Sequence, residues 1–148
     1  MITNTDIEKY IDENKKLTYR NVGVSMLPML VQDKDVFTLE KVDINKLKKF
    51  DVVLYKADEN KYILHRIIKV NEDSFVIRGD NTFTKEYVRK DDIIAKMTSF
   101  VHNGKKISSE DKSYKIYSSL WNKIYIFRYI GKDLKTFPYK VYKKIKGN

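Results

Sequence analysis

The stretch "DVVLYKADENKYILHRIIKV", Asp51–Val70, holds two apolar runs separated by polar residues. Val, Ile, Leu and Tyr dominate both runs, and "ADENK" between them is a turn-forming cluster. The pair reads as two strands joined by a hairpin. The same pattern recurs on either side. "VFTLEKV" from Val36, "SFVIRGD" from Ser74 and "IIAKMTSFV" from Ile93 are further short β-type runs, punctuated by "NED" and "HNGKK". Short strands linked by short turns predict a mainly β fold: a compact antiparallel sheet or small barrel.

The ends change period. Over residues 4–14, Ile7, Tyr10 and Ile11 fall on one helical face, and Asn4, Thr5 or Asp6 can cap it. Residues 113–130 return to helical spacing, with Tyr114, Tyr117, Leu120/Trp121, Ile124 and Phe127 as a stripe. Gly131 and Pro138 divide the tail into helical pieces. The expected layout is an N-terminal helical segment over 1–20, a β domain over 21–111 and a helical tail over 112–148.

Composition removes several classes of chemistry. The 148 residues contain no cysteine, which excludes disulfides and thiolate metal sites. Two histidines, His65 and His102, are too few for a histidine-built zinc centre. No metal and no cofactor is expected. The opening "MITNTDIEKYIDENKK" lacks the apolar core and cleavage pattern of a signal peptide, and no apolar run approaches the roughly 20 residues of a spanning helix. The expected location is the cytoplasm, with peripheral attachment at the inner membrane face as a variant.

That variant comes from the charge. The chain carries +10, yet from Lys112 onward ten Lys/Arg face one acid, Asp133. Nearly all the excess is in the tail, interleaved with aromatics. The tail reads as a helix packed on the body, as an element lying on an anionic membrane surface, or as a nucleic-acid binder. No helix-turn-helix, zinc finger or RNP-like box supports the third.

Three segments have the makings of a catalytic centre. In Gly23-Val24-Ser25-Met26-Leu27-Pro28, a strand ending at Val24 would put Ser25 at the start of a helical turn with Pro28 inside its first turn. A serine there is either a structural cap or a nucleophile beside free backbone N–H groups. His65, inside a strand, shares a face with Ile63 and Ile67, while Leu64, Arg66 and Ile68 point the other way. It is either a buried, satisfied imidazole or a general base. "IRGDNTFTKE" brings Asp80 and Glu86; Gly79-Asp80-Asn81 is a turn signal, and either carboxylate could hold an imidazole in one tautomer.

"SMLP", "KKFDVVLY", "LHRII" and "RGDN", in that order, resemble the signal peptidase I and LexA-like serine peptidase clan, with the matching boxes inside residues 21–101. The His-Arg pair is most similar to the histidine-containing branch of the endoplasmic reticulum and SipW-like enzymes. "YKIYSSLW", Tyr114–Trp121, resembles a segment of small anchorless signal-peptidase-like bacterial proteins. The resemblance implies a serine endopeptidase that processes precursor or leader peptides, with Ser25 as nucleophile and His65 as base. Asp80 matches the aspartate of the Gly-Asp-Asn box as a site-shaping or orienting acid, and Glu86 stands where the branch has a second aspartate. Gly23, Met26, Pro28 and Asn81 would shape the oxyanion side, and small residues would flank the cut. Gly23 departs from the pattern, because many members have a hydroxyl residue there. The usual membrane anchor is also missing from the sequence. The expected partner is a peptide or protein substrate, with an anionic membrane surface as a second partner of the tail. Two rivals remain: an inactive peptide-binding or membrane-surface scaffold of the same fold, and a self-cleaving LexA-like regulator, disfavoured because only 24 residues precede Ser25.

Overall fold

Val52, Val53, Leu54 and Tyr55 are buried in succession, so their strand is covered on both faces. The computed structural model describes residues 4–59 and 61–131. Its eight strands are β1 (Lys16–Arg20), β2 (Val36–Glu40), β3 (Val52–Asp58), β4 (Lys61–Val70), β5 (Ser74–Arg78), β6 (Glu86–Arg89), β7 (Ile93–His102) and β8 (Lys105–Ser108). Two helices, α1 (Asn4–Asn14) and α2 (Lys112–Lys123), flank them, and a further helical segment covers 125–131. The fold is mainly β with helical ends, as the sequence predicts. All strand pairs are antiparallel, in the order β1-β2-β7-β3-β4-β5-β6, with β8 also paired to β7.

Alternation on the central strands divides the core in two. Leu54 joins Leu39, Met97 and Phe100 on one face, beneath Ile7 and Ile11 of α1. Val53 and Tyr55 join Ile67, Phe75 and Ile77 on the other. Burying a Leu, Ile or Phe side chain contributes about 1.5–3 kcal/mol, so either layer outweighs any single polar contact in the fold.

The N-terminal segment is helical only to Asn14. Lys15 adopts φ 61°, its N–H closes on Ile11 O at 2.8 Å, and β1 follows directly. β1, β6 and β8 were not legible in the sequence, because each is short and buries at most one residue. β8 exists because Asn103 and Gly104, at φ 50° and 75°, form the tight hairpin that right-handed strand twist favours. The strand before the serine ends at Arg20, not Val24. Residues 24–30 are turns and bends with a cis Leu27–Pro28 peptide bond, so Pro28 does not lie in the first turn of a helix.

The tail's stripe also splits. Tyr114 is buried and Tyr117 packs against the core, but Leu120 and Phe127 are 54% and 75% exposed. The side chains that meet the body are those with a polar tip to place there, as the site below makes plain. Pro138 and the rest of the tail beyond 131 lie outside the described residues.

Candidate active site

Ser25 is held by hydrogen bonds made around it. Buried Asn21 donates from Nδ2 to Gly23 O at 2.8 Å and to Leu30 O at 3.3 Å, fastening both ends of the loop. Met26, 1% exposed, plugs the loop into the core. From the other side, Asn81 N–H donates to Ser25 O at 2.8 Å, and Asn81 Nδ2 to Val24 O at 3.2 Å. Among the described residues, neither the N–H nor the hydroxyl of Ser25 is hydrogen-bonded.

Gly79 brings the histidine to this loop. A Cβ at Gly79 would lie 2.7 Å from Ser25 O and 2.9 Å from His65 Nε2. Both atoms therefore border the one point that only a glycine leaves empty. The Nε2–Cδ2 edge of His65 thus packs against Gly79 beside the Ser25 carbonyl, and Ser25 and His65 line the same cavity.

The other ring nitrogen faces an acid. His65 Nδ1 is 3.4 Å from Glu86 Oε1 and 3.4 Å from the Tyr55 hydroxyl, and that hydroxyl donates to Glu86 Oε2. Burial pushes the His65 imidazole below its ordinary value, opposed by Glu86 and then by Asp80. The ring is therefore neutral near pH 7, as a base must be. Burial, reinforced by the bond to Glu86, raises the Tyr55 phenol, which stays protonated and keeps donating.

Asp80 has a different partner. Arg66 donates from Nε to Asp80 Oδ1 and from Nη2 to Asp80 Oδ2, each at 2.7 Å, with side chains 0% and 2% exposed. Of the two candidate acids, Glu86 is the one on the imidazole, and Asp80 shapes the loop through Arg66. The remaining guanidinium donors reach Phe50 O at 2.9 Å, Ser118 Oγ at 2.8 Å, Tyr114 OH at 3.1 Å and Met29 Sδ at 3.1 Å. Phe50 sits at φ 80°, a conformation a bulky side chain rarely takes, and its carbonyl meets the guanidinium. A buried arginine with this many partners leaves no polar atom uncompensated.

The C-terminal helices complete that network. Tyr117 OH donates to Asp80 Oδ2 at 3.2 Å, while Trp121 Nε1 and Arg128 Nη1 both donate to Asp80 O at 2.9 Å. Tyr125 OH donates to Phe83 O at 2.9 Å, and Arg78 lies 3.4 Å from the Tyr125 ring centroid. Through residue 131, the tail packs on the body and clasps the loop that carries Gly79 and Asn81.

The other candidates fall outside the centre. Pro28 lines a separate small cavity with Met29, Phe100 and Tyr114. His102 is paired with Asp35 at 2.7 Å. No group of three or more metal-ligating side chains occurs among the described residues, nor is any described helix long and apolar enough to cross a membrane. Sequence reading gave no role to Tyr55 or Asn21, and read Gly79 only as part of a turn and Arg66 only as part of the His-Arg pair. Arg66 had a further signal: a charge inside the apolar run "LHRII" needs a buried partner. The sequence matches no family model and no curated protein.

Proposed function

We propose that the protein is a serine endopeptidase acting on precursor or leader-type peptides, with Ser25 as nucleophile, His65 as base and Glu86 as the acid that orients it. One observation carries the reading. His65 Nδ1 lies 3.4 Å from Glu86, while the Nε2 edge of the ring packs against Gly79, beside the backbone carbonyl of Ser25. A catalytic imidazole needs that division, because one nitrogen takes the nucleophile's proton while the other is held as a donor.

Ser25 Oγ attacks the scissile carbonyl carbon as its proton passes to His65 Nε2. The N–H of Ser25, uncommitted among the described residues, stabilises the oxyanion. His65 then hands the proton to the departing amine, leaving an acyl ester on Ser25. Water, deprotonated by the same nitrogen, hydrolyses that ester. The β4 flank over Tyr62–Leu64 has β3 on one side and no strand partner on the other, since β5 pairs only from Arg66 onward. An extended substrate can add its backbone there.

The test is a peptide mixture derived from whole-cell protein, incubated with the wild type and with Ser25→Ala and compared by mass spectrometry. Cleavage products confined to the wild type are expected. The same products from both proteins would dismiss the assignment.

A second reading concerns location. Leu120 and Phe127 face outward on a tail with nine excess positive charges, which suits contact with an anionic bilayer. Co-sedimentation with phosphatidylserine vesicles at low salt is expected, and failure to bind at any salt retires the idea.

A further inference from the structure

The small residues that the family resemblance implies at the cut do not match the space beside Ser25. The cavity that Ser25 and His65 line has a volume of about 530 Å³. A methyl-sized group occupies on the order of 30 Å³, the share of one water, so an alanine would leave nearly all of it to solvent. Pockets of this size ordinarily bury most of a ligand rather than a single small group.

The walls are apolar. Leu17 of β1, Phe37 and Leu39 of β2, Leu54 of β3, Leu64 of β4 and Ile7 of α1 line the cavity. Five of these are buried core residues, with Leu39 1% and Leu54 and Phe37 6% exposed. The cavity therefore borders the hydrophobic layer beneath α1, and Ser25 and His65 are part of the same lining. Water against such walls is unfavourable, and an apolar side chain that displaces it is favoured in proportion to the area covered.

The backbone arrangement points a substrate into that space. β1 is the end of the strand order, and its Tyr19 and Arg20 line the same cavity as Tyr62 and Ile63 of the unpaired β4 flank. A peptide extended along β4 sends alternate side chains toward the apolar floor.

We infer that this site selects peptides carrying bulky apolar side chains, of the leucine, isoleucine or phenylalanine class, on one side of the cleaved bond, and disfavours the small-residue sites of signal-peptide processing. The inference deepens the peptidase reading and rests on it for the position of the cut. Leu64, half-buried and next to His65 in the chain, lines the cavity, so a larger side chain there takes up part of its volume.

The experiment has two arms. In the first, the Ser25-dependent cuts in the whole-cell peptide mixture are aligned on the broken bond, and matched synthetic peptides then compare leucine with alanine at the enriched position. A leucine preference of at least about tenfold in kcat/KM is expected. Ser25-dependent cutting with equal or better use of alanine overturns the inference and leaves the peptidase reading standing. In the second arm, the Ser25→Ala protein is titrated with the same fluorescently labelled peptides. Tighter binding of leucine peptides by about tenfold supports the apolar site even if no cutting occurs, an outcome that would remove only the peptidase reading. Equal binding overturns the inference directly. Leu64→Trp, with its fold checked by thermal melting, should collapse the leucine-to-alanine ratio, and an unchanged ratio in a folded variant would show that the cavity is not the selector. If that variant does not fold, the wild-type ratio decides.

Discussion

Arg66 and Asp80 are joined by two parallel hydrogen bonds of 2.7 Å in a site that solvent does not reach. Removing one member of such a pair leaves the other charge buried and unpaired, a loss of about 3–5 kcal/mol. Asp80→Ala is therefore expected to unfold at far lower urea concentration than the wild type. Arg66→Lys should fail nearly as badly, because an ammonium cannot make the two-pronged contact. Equilibrium urea denaturation followed by tryptophan fluorescence checks both; a change under about 1 kcal/mol in Asp80→Ala would contradict the account.

Gly79→Ala should separate activity from stability. The added methyl would sit 2.7 Å from Ser25 O and 2.9 Å from His65 Nε2, so the serine loop and the imidazole must move apart. Misplacing reacting groups by about 1 Å costs on the order of a hundredfold in rate. Peptidase activity is expected to fall by about that factor while the melting transition stays cooperative. Full activity in Gly79→Ala would mean that the two groups do not work together.

The histidine fixes the pH dependence. Burial holds His65 below its ordinary value of about 6.5, so on acidification the unfolded chain takes up this proton before the folded one. The stability it contributes is complete above about pH 6.5 and is lost as pH falls through the folded value. The acid limb of kcat/KM should accordingly lie below pH 6.5. Glu86 acts in the opposite direction on the same ring, so Glu86→Gln should move that limb lower still while also reducing kcat. A pH–rate profile of the two proteins is the measurement, and a limb that moves upward in Glu86→Gln would refute Glu86 as the ring's partner.

The fold and the site were legible to different depths. The five strands with Val, Ile and Phe on buried faces could be read directly, because burial writes itself into those residue types. β1, "KLTYR", could not, since Leu17 alone is buried there. At the site, Ser25, His65 and two acids were identifiable as residue types, but only spacing in three dimensions separates Glu86 from Asp80. Nor does the stripe of Tyr114, Tyr117 and Trp121 reveal that its polar tips meet one aspartate and its arginine partner. Helical periodicity records which side chains share a face, not what that face touches.

Gly23 offers a gain of function. Its φ is not in the left-handed range and a Cβ there meets nothing within 4 Å, so a side chain can be added without strain. Gly23→Ser would place a hydroxyl two residues before Ser25, the proposed nucleophile, beside the cavity that Ser25 lines. Where an added donor reaches the oxyanion, removal of such donors elsewhere predicts an increase in kcat of about tenfold or more. Single-turnover kinetics would check it, and an unchanged kcat would mean the hydroxyl does not reach the oxyanion.

Trp121 and Arg128 both grip the carbonyl of Asp80, and Ser118 and Tyr114 take up donors of Arg66. These four lie near the end of the described chain, far downstream of the strands they secure. A ribosome releases the strands first, so the nascent sheet carries a guanidinium still short of partners until the last helices emerge. Under the proposed peptidase reading, ordering of the loop that carries Gly79 and Asn81, and activity with it, waits on the helices from Lys112 onward. Stalled chains halted before Lys112 should be protease-sensitive and inert, and full activity in them would disprove the delay.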